Sequence, residues 1–310
     1  MRTATAAGMP EPALSRATVG RAGEHRTDEA WLSAAWLRDS TRVVLVAQDR
    51  TLVAEDGTGQ AEVVLLPSSA APDGMRYFLG SDTAGVDYFA VSVPDLESCR
   101  APGVREAGLR EIAALLTARD AGLLVHAVAL DTWHRTHPFC PRCAHSTEIA
   151  FGGHMRRCLS CGTEHFPRTD PAVIMLVTDG QDRCLLARNS AWPEGRWSVL
   201  AGFVDPGESL EQAVRRELLE EVGVRTDSVE YAGSQAWPFP ASLMIGFFGR
   251  ATDPGITVDG EEIAQACWFS RAQLREAMAE GAVALPSGVS IARVMIEHWH
   301  GGPLPQSNSW

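Results

Sequence analysis

Seven glycine, arginine and glutamate positions between Gly202 and Gly223 have the residue types and the spacing of a site for metal ions and phosphate. On a helix, Glu217, Glu220 and Glu221 would share one face, because they lie at i, i+3 and i+4. Hard cations such as Mg²⁺ and Mn²⁺ relieve the repulsion among such carboxylates and also bind substrate phosphate oxygens. The seven positions are Gly202, Glu208, Arg216, Glu217, Glu220, Glu221 and Gly223.

The helix that must carry these carboxylates has its own start and stop signals. Ser209 and Gln212 have the Ser-x-x-Gln form of a capping box. Gly223 is a typical residue just past a helix end. Together these signals predict a helix from Ser209 or Leu210 to Val222.

Arg216 directly precedes the first of the three glutamates, and it could pair with Glu208 or Glu220 and so hold the carboxylates in place. A solvated, salt-bridged helix face is the simpler interpretation of such a charged helix. That interpretation leaves the upstream glycine turn and the spacing of Glu208 unexplained, so we favour the metal site.

The string from Gly202 to Gly223 resembles the Nudix box, Gly-x5-Glu-x7-Arg-Glu-apolar-x-Glu-Glu-x-Gly-apolar, at every fixed position. The resemblance implies an α/β/α sandwich with a mixed sheet, on which the box forms a loop, a helix and a second loop. It also implies metal-dependent hydrolysis of a nucleoside diphosphate linked to another group. The resemblance therefore implies that a diphosphate bond is hydrolysed, but it does not identify the substrate.

Two Cys-x2-Cys pairs, Cys140 with Cys143 and Cys158 with Cys161, are separated by 14 residues. This spacing is typical of a zinc ribbon in which four thiolates bind one Zn²⁺, and a site closed by four protein ligands is structural. Zinc ribbons also contact nucleic acid, and four basic side chains leave that alternative open. A net charge of −12 favours the structural role. The basic residues are Arg142, His145, Arg156 and Arg157.

An aromatic and proline-rich segment follows the box, where residues 234–242 are Ser-Gln-Ala-Trp-Pro-Phe-Pro-Ala-Ser. Prolines beside Trp and Phe make a stiff extended loop whose flat faces can stack on a heterocycle, although such clusters also occur as core packing. The segment is similar to the SQPWPFPxS motif of the NADH pyrophosphatase branch of the Nudix family, which also carries a four-cysteine ribbon. Ala236 replaces a proline of that motif. The implied substrate-binding residues are Gln235, Ala236, Trp237, Pro238, Phe239, Pro240, Ala241 and Ser242.

The same resemblance implies roles for further residues. Phe203 and Phe166 would stack on a base, and Ala292 lies on a segment that reaches the substrate. The catalytic set is Arg216 with the three box glutamates, of which Glu217 or Glu220 is the base. The implied ligands of Mg²⁺ or Mn²⁺ are the backbone of Ala201 and the side chains of Glu217, Glu220, Glu221 and Glu262, with Glu261 as the register-shifted alternative to Glu262.

Outside these motifs, composition and pattern predict five segments. A disordered leader (1–28) precedes a Nudix-like α+β domain (29–136), which has strand-like runs RVVLVA, AEVVLLP and YFAVSV and a helical stretch from Val104 to Ala127. The ribbon (137–167), the Nudix domain (168–300) and a tail (301–310) follow. The sequence contains no apolar run of about 18 residues, so no membrane span is expected. Three cysteines outside the ribbon fit reduced thiols in a cytoplasmic protein.

These observations predict hydrolysis of the pyrophosphate of NADH or NAD⁺ to nicotinamide mononucleotide and AMP, with two or three Mg²⁺ or Mn²⁺ per site and one structural Zn²⁺ per chain. The resemblance adds removal of NAD caps from RNA 5′ ends and a homodimer. A non-catalytic reader of RNA or protein is the rival from another class. A Nudix hydrolase of another nucleoside diphosphate derivative is the rival within the class.

Overall fold

The computed structural model describes residues 8–55, 57 and 59–306. Positions 1–7 of the expected leader and 307–310 of the expected tail lie outside the described residues. The chain divides into two compact units. The C-terminal unit comprises Met1–Ser15, Asp170–Ala236 and Ser242–Trp310, and the N-terminal unit comprises Arg16–Thr169 and Trp237–Ala241.

Before the ribbon, the described residues of the N-terminal unit form two small sheets and a long helix, as expected for an α+β domain. Strands β4-β1-β6-β5 form one sheet and β3-β2-β7 the other. Its elements are α1 (Glu29–Trp36), β1 (Arg42–Val46), β2 (Arg50–Glu55), β3 (Ala61–Val63), β4 (Leu65–Pro67), β5 (Met75–Ser81), β6 (Asp87–Ser92), β7 (Val104–Gly108), α2 (Leu109–Ile112) and α3 (Ala118–Thr136).

The helix expected from Val104 to Ala127 is wrong at its start. Residues 104–108 form β7, because they pair antiparallel with β2. The long helix begins only after Thr117, whose side chain accepts a hydrogen bond from the Asp120 backbone amide. Pairing with β2 thus makes residues 104–108 a strand, and the helical residues begin at Leu109 with the short α2.

The ribbon is a three-stranded sheet of β8 (Thr147–Ala150), β9 (Met155–Cys158) and β10 (Glu164–His165), in the order β10-β9-β8. Both of its strand pairs are antiparallel. The two cysteine pairs lie around this sheet: Cys158 ends β9, and Cys161 lies in the turn that leads to β10.

The C-terminal unit has a six-stranded mixed sheet in the order β14-β15-β11-β12-β16, with β13 paired to β11. Strands β11 and β15 are parallel, whereas β12 and β13 run antiparallel to their neighbours. The elements are β11 (Asp170–Thr178), β12 (Cys184–Asn189), β13 (Leu200–Phe203), α4 (Leu210–Val222), β14 (Thr226–Trp237), β15 (Ser242–Ala251), β16 (Ile263–Phe269), α5 (Arg271–Ala279) and α6 (Ile291–His300).

Helices cover both faces of this sheet. Alternate residues of β11 point to opposite sides, so Val173 and Met175 pack with α4 while Ile174 and Leu176 pack with α5 and α6. The expected α/β/α sandwich is therefore confirmed. No helix among the described residues is both long and apolar enough to cross a bilayer.

The described ends of the chain are packed, so the expected leader and tail are wrong over residues 8–28 and 301–306. Met9 and Leu304, each 4% exposed, join the same core as α6. Arg293 also donates a hydrogen bond of 2.5 Å to the Leu304 carbonyl. The leader has too few apolar residues to predict a core of its own, but a single Met can be buried by a neighbouring domain.

Candidate active site

Helix α4 begins and ends where the sequence predicts. Ser209 Oγ accepts from the Gln212 amide at 3.3 Å, and Gln212 Oε1 accepts from the Ser209 amide at 2.9 Å. Gly223 ends the helix in the left-handed region, with φ 69°. The capping box and the glycine stop are both confirmed, and they fix the positions of the box glutamates along the helix.

Arg216 donates hydrogen bonds to several residues of the box. Its guanidinium binds both oxygens of Glu208 at 2.9 Å, and Nη1 donates to Glu217 at 2.9 Å and to Glu220 at 3.1 Å. Nη2 also donates to the Phe203 carbonyl at 2.9 Å. Hydrogen bonds from Arg216 lower the pKa of Glu208. Arg216 therefore ties the end of β13, the glycine loop and the helix into one arrangement.

The first glycine of the box is required by close packing. A Cβ atom at Gly202 would overlap the carboxylate of Glu217. Gly202 lies in β13 opposite Val173 of β11, so its backbone cannot easily retreat. The Glu217 carboxylate thus lies against the strand that contains Ala201, the residue whose backbone was expected to bind metal.

Glu221 is the most unusual carboxylate of the unit. It is 4% exposed, and its Oε2 has no hydrogen-bond partner among the described residues. Burial, and then the charges of Glu217, Glu262 and Asp259, raise the pKa of Glu221 to about 8. Burying a charged group without a partner is costly, so a bound cation would stabilise the ionised form of this carboxyl group.

A loop that precedes β16 adds two more carboxylates near α4. The Asp259 amide donates to the Glu221 carbonyl at 3.1 Å. Asp259 in turn accepts from the Glu262 amide at 3.1 Å and from Ile263 at 2.9 Å, which fixes the loop. Burial raises the pKa of both Glu217 and Glu221, and the charge of Glu262 adds to each rise. Sequence reasoning missed Asp259, although an Asp before Gly260 is a recognisable turn signal.

The donor set fits a hard divalent cation. It consists of carboxylate oxygens of α4 and of the loop before β16, the ligand type that Mg²⁺ and Mn²⁺ prefer. Glu217 and Glu221 are buried, whereas Glu220 is 61% exposed and faces solvent as well as Arg216. The two buried carboxylates would be the most strongly stabilised by a metal.

The four ribbon cysteines are gathered as expected. Their ligand atoms all lie within 4.8 Å of one another. The Sγ atoms of Cys143 and Cys158 are 3.4 Å apart, and those of Cys140 and Cys161 are 3.8 Å apart. Zinc–sulfur bonds of about 2.3 Å in a tetrahedron give sulfur separations of about 3.8 Å. The cluster therefore fits one closed zinc site, which is structural.

Arg156 does not form part of a basic surface on the ribbon. It is 7% exposed, and its guanidinium donates to Thr147 Oγ1 at 2.6 Å and to His134 Nδ1 at 3.0 Å. His134 donates from Nε2 to the Gly153 carbonyl at 2.8 Å. The suggestion that Arg156 contacts nucleic acid is wrong, because the side chain ties the ribbon to α3.

The aromatic motif divides between the two units at residues 236 and 237. Strand β14 extends through Trp237, and only residues 238–241 form a turn before β15. The rings of Trp237 and Phe239 meet edge to face at 5.2 Å. The Arg110 guanidinium lies 4.2 Å from the Phe239 centroid and 5.2 Å from that of Trp237. Arg110 was missed, because its position in the sequence gives no sign of this contact.

The Gln235 side chain is buried. It is 0% exposed, and both polar atoms of its amide bind backbone groups of the segment that begins α6. The side chain is therefore engaged within the C-terminal unit, and substrate binding by Gln235 stays a prediction. Ala292 is also buried, in the first turn of α6. Phe166 and Phe203 are each 59% exposed, so both rings are free to meet a ligand.

Comparisons with known proteins cover nearly the whole chain. Residues 168–286 match the NUDIX domain, 135–166 the NADH pyrophosphatase zinc ribbon domain, and 40–133 the NADH pyrophosphatase-like rudimentary NUDIX domain. The chain is 39% identical over 305 residues to the NAD-capped RNA hydrolase NudC of Mycobacterium tuberculosis, covering 93% of this chain and 94% of that protein. It is 42% identical over 197 residues to the NAD-capped RNA hydrolase NUDT12 of Homo sapiens, covering 59% of this chain and 42% of that protein.

Proposed function

The chain belongs to the NADH pyrophosphatase branch of the Nudix hydrolase family, and we propose that it hydrolyses the pyrophosphate of NADH or NAD⁺ to nicotinamide mononucleotide and AMP. The observation that carries the proposal is the buried carboxylate of Glu221, whose Oε2 has no hydrogen-bond partner among the described residues and whose pKa is raised by burial and then by the charges of Glu217 and Glu262. A buried carboxylate that feels further negative charges favours bound cations and the phosphates that accompany them. Both relatives are NAD-capped RNA hydrolases, which supports a second substrate with the same scissile bond, the NAD cap of RNA.

Glu217, Glu220, Glu221 and Glu262, with the Ala201 backbone, are the proposed ligands of two or three Mg²⁺ or Mn²⁺. When bound, these ions supply charge neutralisation for the diphosphate and a more acidic water. The charge that Glu262 exerts on Glu217 and Glu221 supports it over Glu261 as the late ligand.

Arg216 and the two glutamates that it contacts have complementary roles in this proposal. Arg216 donates hydrogen bonds of 2.9 Å to Glu217 and 3.1 Å to Glu220, which favour one orientation of each carboxylate. One of the two orients or deprotonates the attacking water, and the fixed carboxylate gives that water a defined direction. Arg216 is therefore a positioning residue, since it acts through the glutamates.

Substrate selection is assigned to the aromatic residues. Trp237 and Phe239, with Arg110 over their rings, form a rigid surface for a flat heterocycle. The exposed rings of Phe166 and Phe203 are the proposed further stacking partners. A homodimer and a cytoplasmic location stay predictions.

The test is a substrate panel with purified protein and Mn²⁺: NADH, NAD⁺, ADP-ribose, a diadenosine polyphosphate and NAD-capped RNA. Nicotinamide mononucleotide and AMP from NADH or NAD⁺ would support the proposal, with NAD-capped RNA giving the mononucleotide and a 5′-monophosphate RNA. Glu217→Gln is the matched control, because it keeps the helix and removes one ligand charge. Turnover of ADP-ribose alone would indicate another Nudix substrate. Binding without any turnover would favour the non-catalytic reader.

A further inference from the structure

A group of basic side chains in the N-terminal unit belongs to neither of the proposed metal sites. The ring centroids of His126, in α3, and His154, between β8 and β9, are 5.1 Å apart. His154 Nε2 donates to the Phe78 carbonyl of β5 at 2.8 Å. Burial, and then the charge of Arg21, lower the pKa of His126 well below its usual value, and Arg26 lowers it further. Arg21, Arg26, His126 and His154 therefore form one group, the basic cluster.

The segment that carries the two arginines is fixed against α3 and β5 of the same unit. Gly20 and Ser81 exchange two backbone hydrogen bonds of 3.0 Å, which pair the segment with the end of β5. A Cβ at Gly122 of α3 would come within 2.7 Å of Ala17, so the segment also lies closely on the helix. Arg21 directly follows this pairing, and its side chain therefore starts from a fixed backbone position.

Two nitrogen atoms of the basic cluster are buried without a hydrogen-bond partner among the described residues, Arg26 Nε and His126 Nδ1. Burial lowers the pKa of Arg26, and only the largely exposed Glu24 opposes this effect. For Arg21, burial and then the charge of Arg26 both lower the pKa. Desolvated cations that repel one another are costly, so an anion bound among them would be stabilising.

The two histidines are neutral at neutral pH, which leaves them able to take up a proton. Burial lowers the pKa of His154 to about 4, and the charges of Arg26, Arg21 and His134 add to the fall, against a hydrogen bond to the β5 backbone that raises it. A nearby anion would raise the pKa of each imidazole. Once protonated, His126 could donate a hydrogen bond from Nδ1, the atom that now has no partner.

We propose that the basic cluster is a binding site for an oxyanion of the phosphate type, and that the anion binds together with a proton on one of the two histidines. A phosphate group fits better than a carboxylate, because it carries up to two charges and offers three acceptor oxygens to guanidinium donors. A free phosphate ion and the phosphate monoester of a nucleotide share this chemistry. The site goes beyond the proposed hydrolysis, since none of the proposed catalytic residues belongs to it.

Sulfate is the first probe, because it stays a dianion between about pH 5 and about pH 8 and its own charge does not change with pH. Calorimetry at constant ionic strength, without added Mg²⁺ or Mn²⁺, gives its Kd. If the bound anion raises one imidazole pKa by about 2, sulfate should bind roughly tenfold more tightly at about pH 5 than at about pH 8. The chemical shifts of His126 and His154, titrated with and without sulfate, should show the raised pKa directly.

Substitutions separate the roles of the arginines and the histidines. The double variant Arg21→Gln, Arg26→Gln should bind sulfate at least about tenfold more weakly at either pH, because it loses two charged donors. Without an anion it should melt no lower than the parent protein, since the lost charges repel one another. The double variant His126→Gln, His154→Gln should bind sulfate equally at both pH values. The matched control is Arg100→Gln, which removes an exposed arginine of the same unit and should change no Kd.

Inorganic phosphate, AMP and adenosine then distinguish the source of the phosphate. Equal affinities for phosphate and AMP would identify the free ion, and tighter binding of AMP would identify a nucleotide monoester; in both cases the arginine double variant must lose the binding. Adenosine bound as tightly as AMP would overturn the inference, because the base and not the phosphate would then be recognised.

The inference is also overturned if sulfate binds the parent protein and the arginine double variant equally, or if its affinity does not change with pH. Unchanged histidine pKa values in sulfate would overturn it as well. That titration uses the parent protein, so it decides the matter even if a variant fails to fold. None of these measurements involves hydrolysis, so the anion site and the proposed function can fail separately.

Discussion

Replacing Gly202 with Ala tests whether the position of the Glu217 carboxylate matters more than its presence. The new Cβ would overlap that carboxylate, which would have to retreat by about 1 Å or more. The obstacle is the end of a flexible side chain, so the fold should survive the substitution. A shift of about 1 Å in a catalytic group can cost on the order of 100-fold in rate. Metal–oxygen bonds of about 2.1 Å tolerate an even smaller displacement of the ligand oxygen.

We therefore expect Gly202→Ala to lower kcat/KM on NADH by about 100-fold and to require more Mn²⁺ for half-maximal activity. Its melting temperature should stay within a few degrees of the parent protein. Gly180→Ala is the matched control, because a Cβ there meets nothing within 4 Å. The reasoning is refuted if Gly202→Ala keeps activity within about threefold. A large fall in melting temperature would refute it too, since backbone strain and not carboxylate displacement would then explain the loss.

Three further predictions concern buried charge, zinc and pH. In EDTA at about pH 9, above the pKa of about 8 of Glu221, Glu221→Gln should melt higher than the parent protein, because a buried charge is removed; it should also gain less from Mn²⁺, and equal gains would contradict this. Cys140→Ser should lower bound zinc and melting temperature together, whereas Cys267→Ser, outside the cluster, should change neither; a zinc-free variant with unchanged melting would contradict this. Burial lowers the pKa of His134 from 6.5 to about 4, so its stabilising contribution is present above pH 6.5 and is lost as the pH falls through 4. The free energy of unfolding of His134→Gln should therefore fall less than that of the parent protein as the pH falls from 6.5 to 4. A pH dependence of the unfolding free energy as steep as that of His145→Gln, an exposed control, would contradict this.

The zinc cluster and the Nudix box could be predicted because each depends on short-range spacing. Ser209 and Gln212 bond each other across one helical turn, and Gly223 supplies the left-handed residue that ends the helix. Such interactions are completed within a few residues, so the sequence alone contains all the partners. The contacts of Arg216 are also short in sequence: its pairing with Glu208 or Glu220 was expected, and it binds both.

Local sequence patterns did not predict which polar side chains are buried. Arg156 and Gln235 are polar residues of the kind that usually meet solvent or a ligand, yet both are enclosed by chain segments distant in sequence. Residues 104–108 show the same limit, because their partner strand β2 lies some fifty residues earlier. Each of these outcomes depends on which distant backbone groups need a hydrogen-bond partner.

The sequence by itself therefore determined the family, the bond type, the helix that carries the glutamates and the four zinc ligands. The tertiary structure decided which side chains are free to act: it leaves Phe166 and Phe203 exposed, buries Glu221 with its Oε2 unpartnered among the described residues, and binds the Gln235 amide to the start of α6. The physical reason is that residue type and spacing determine which ions and hydrogen-bond partners a short segment can bind. Desolvation and hydrogen-bond satisfaction are set by the whole fold.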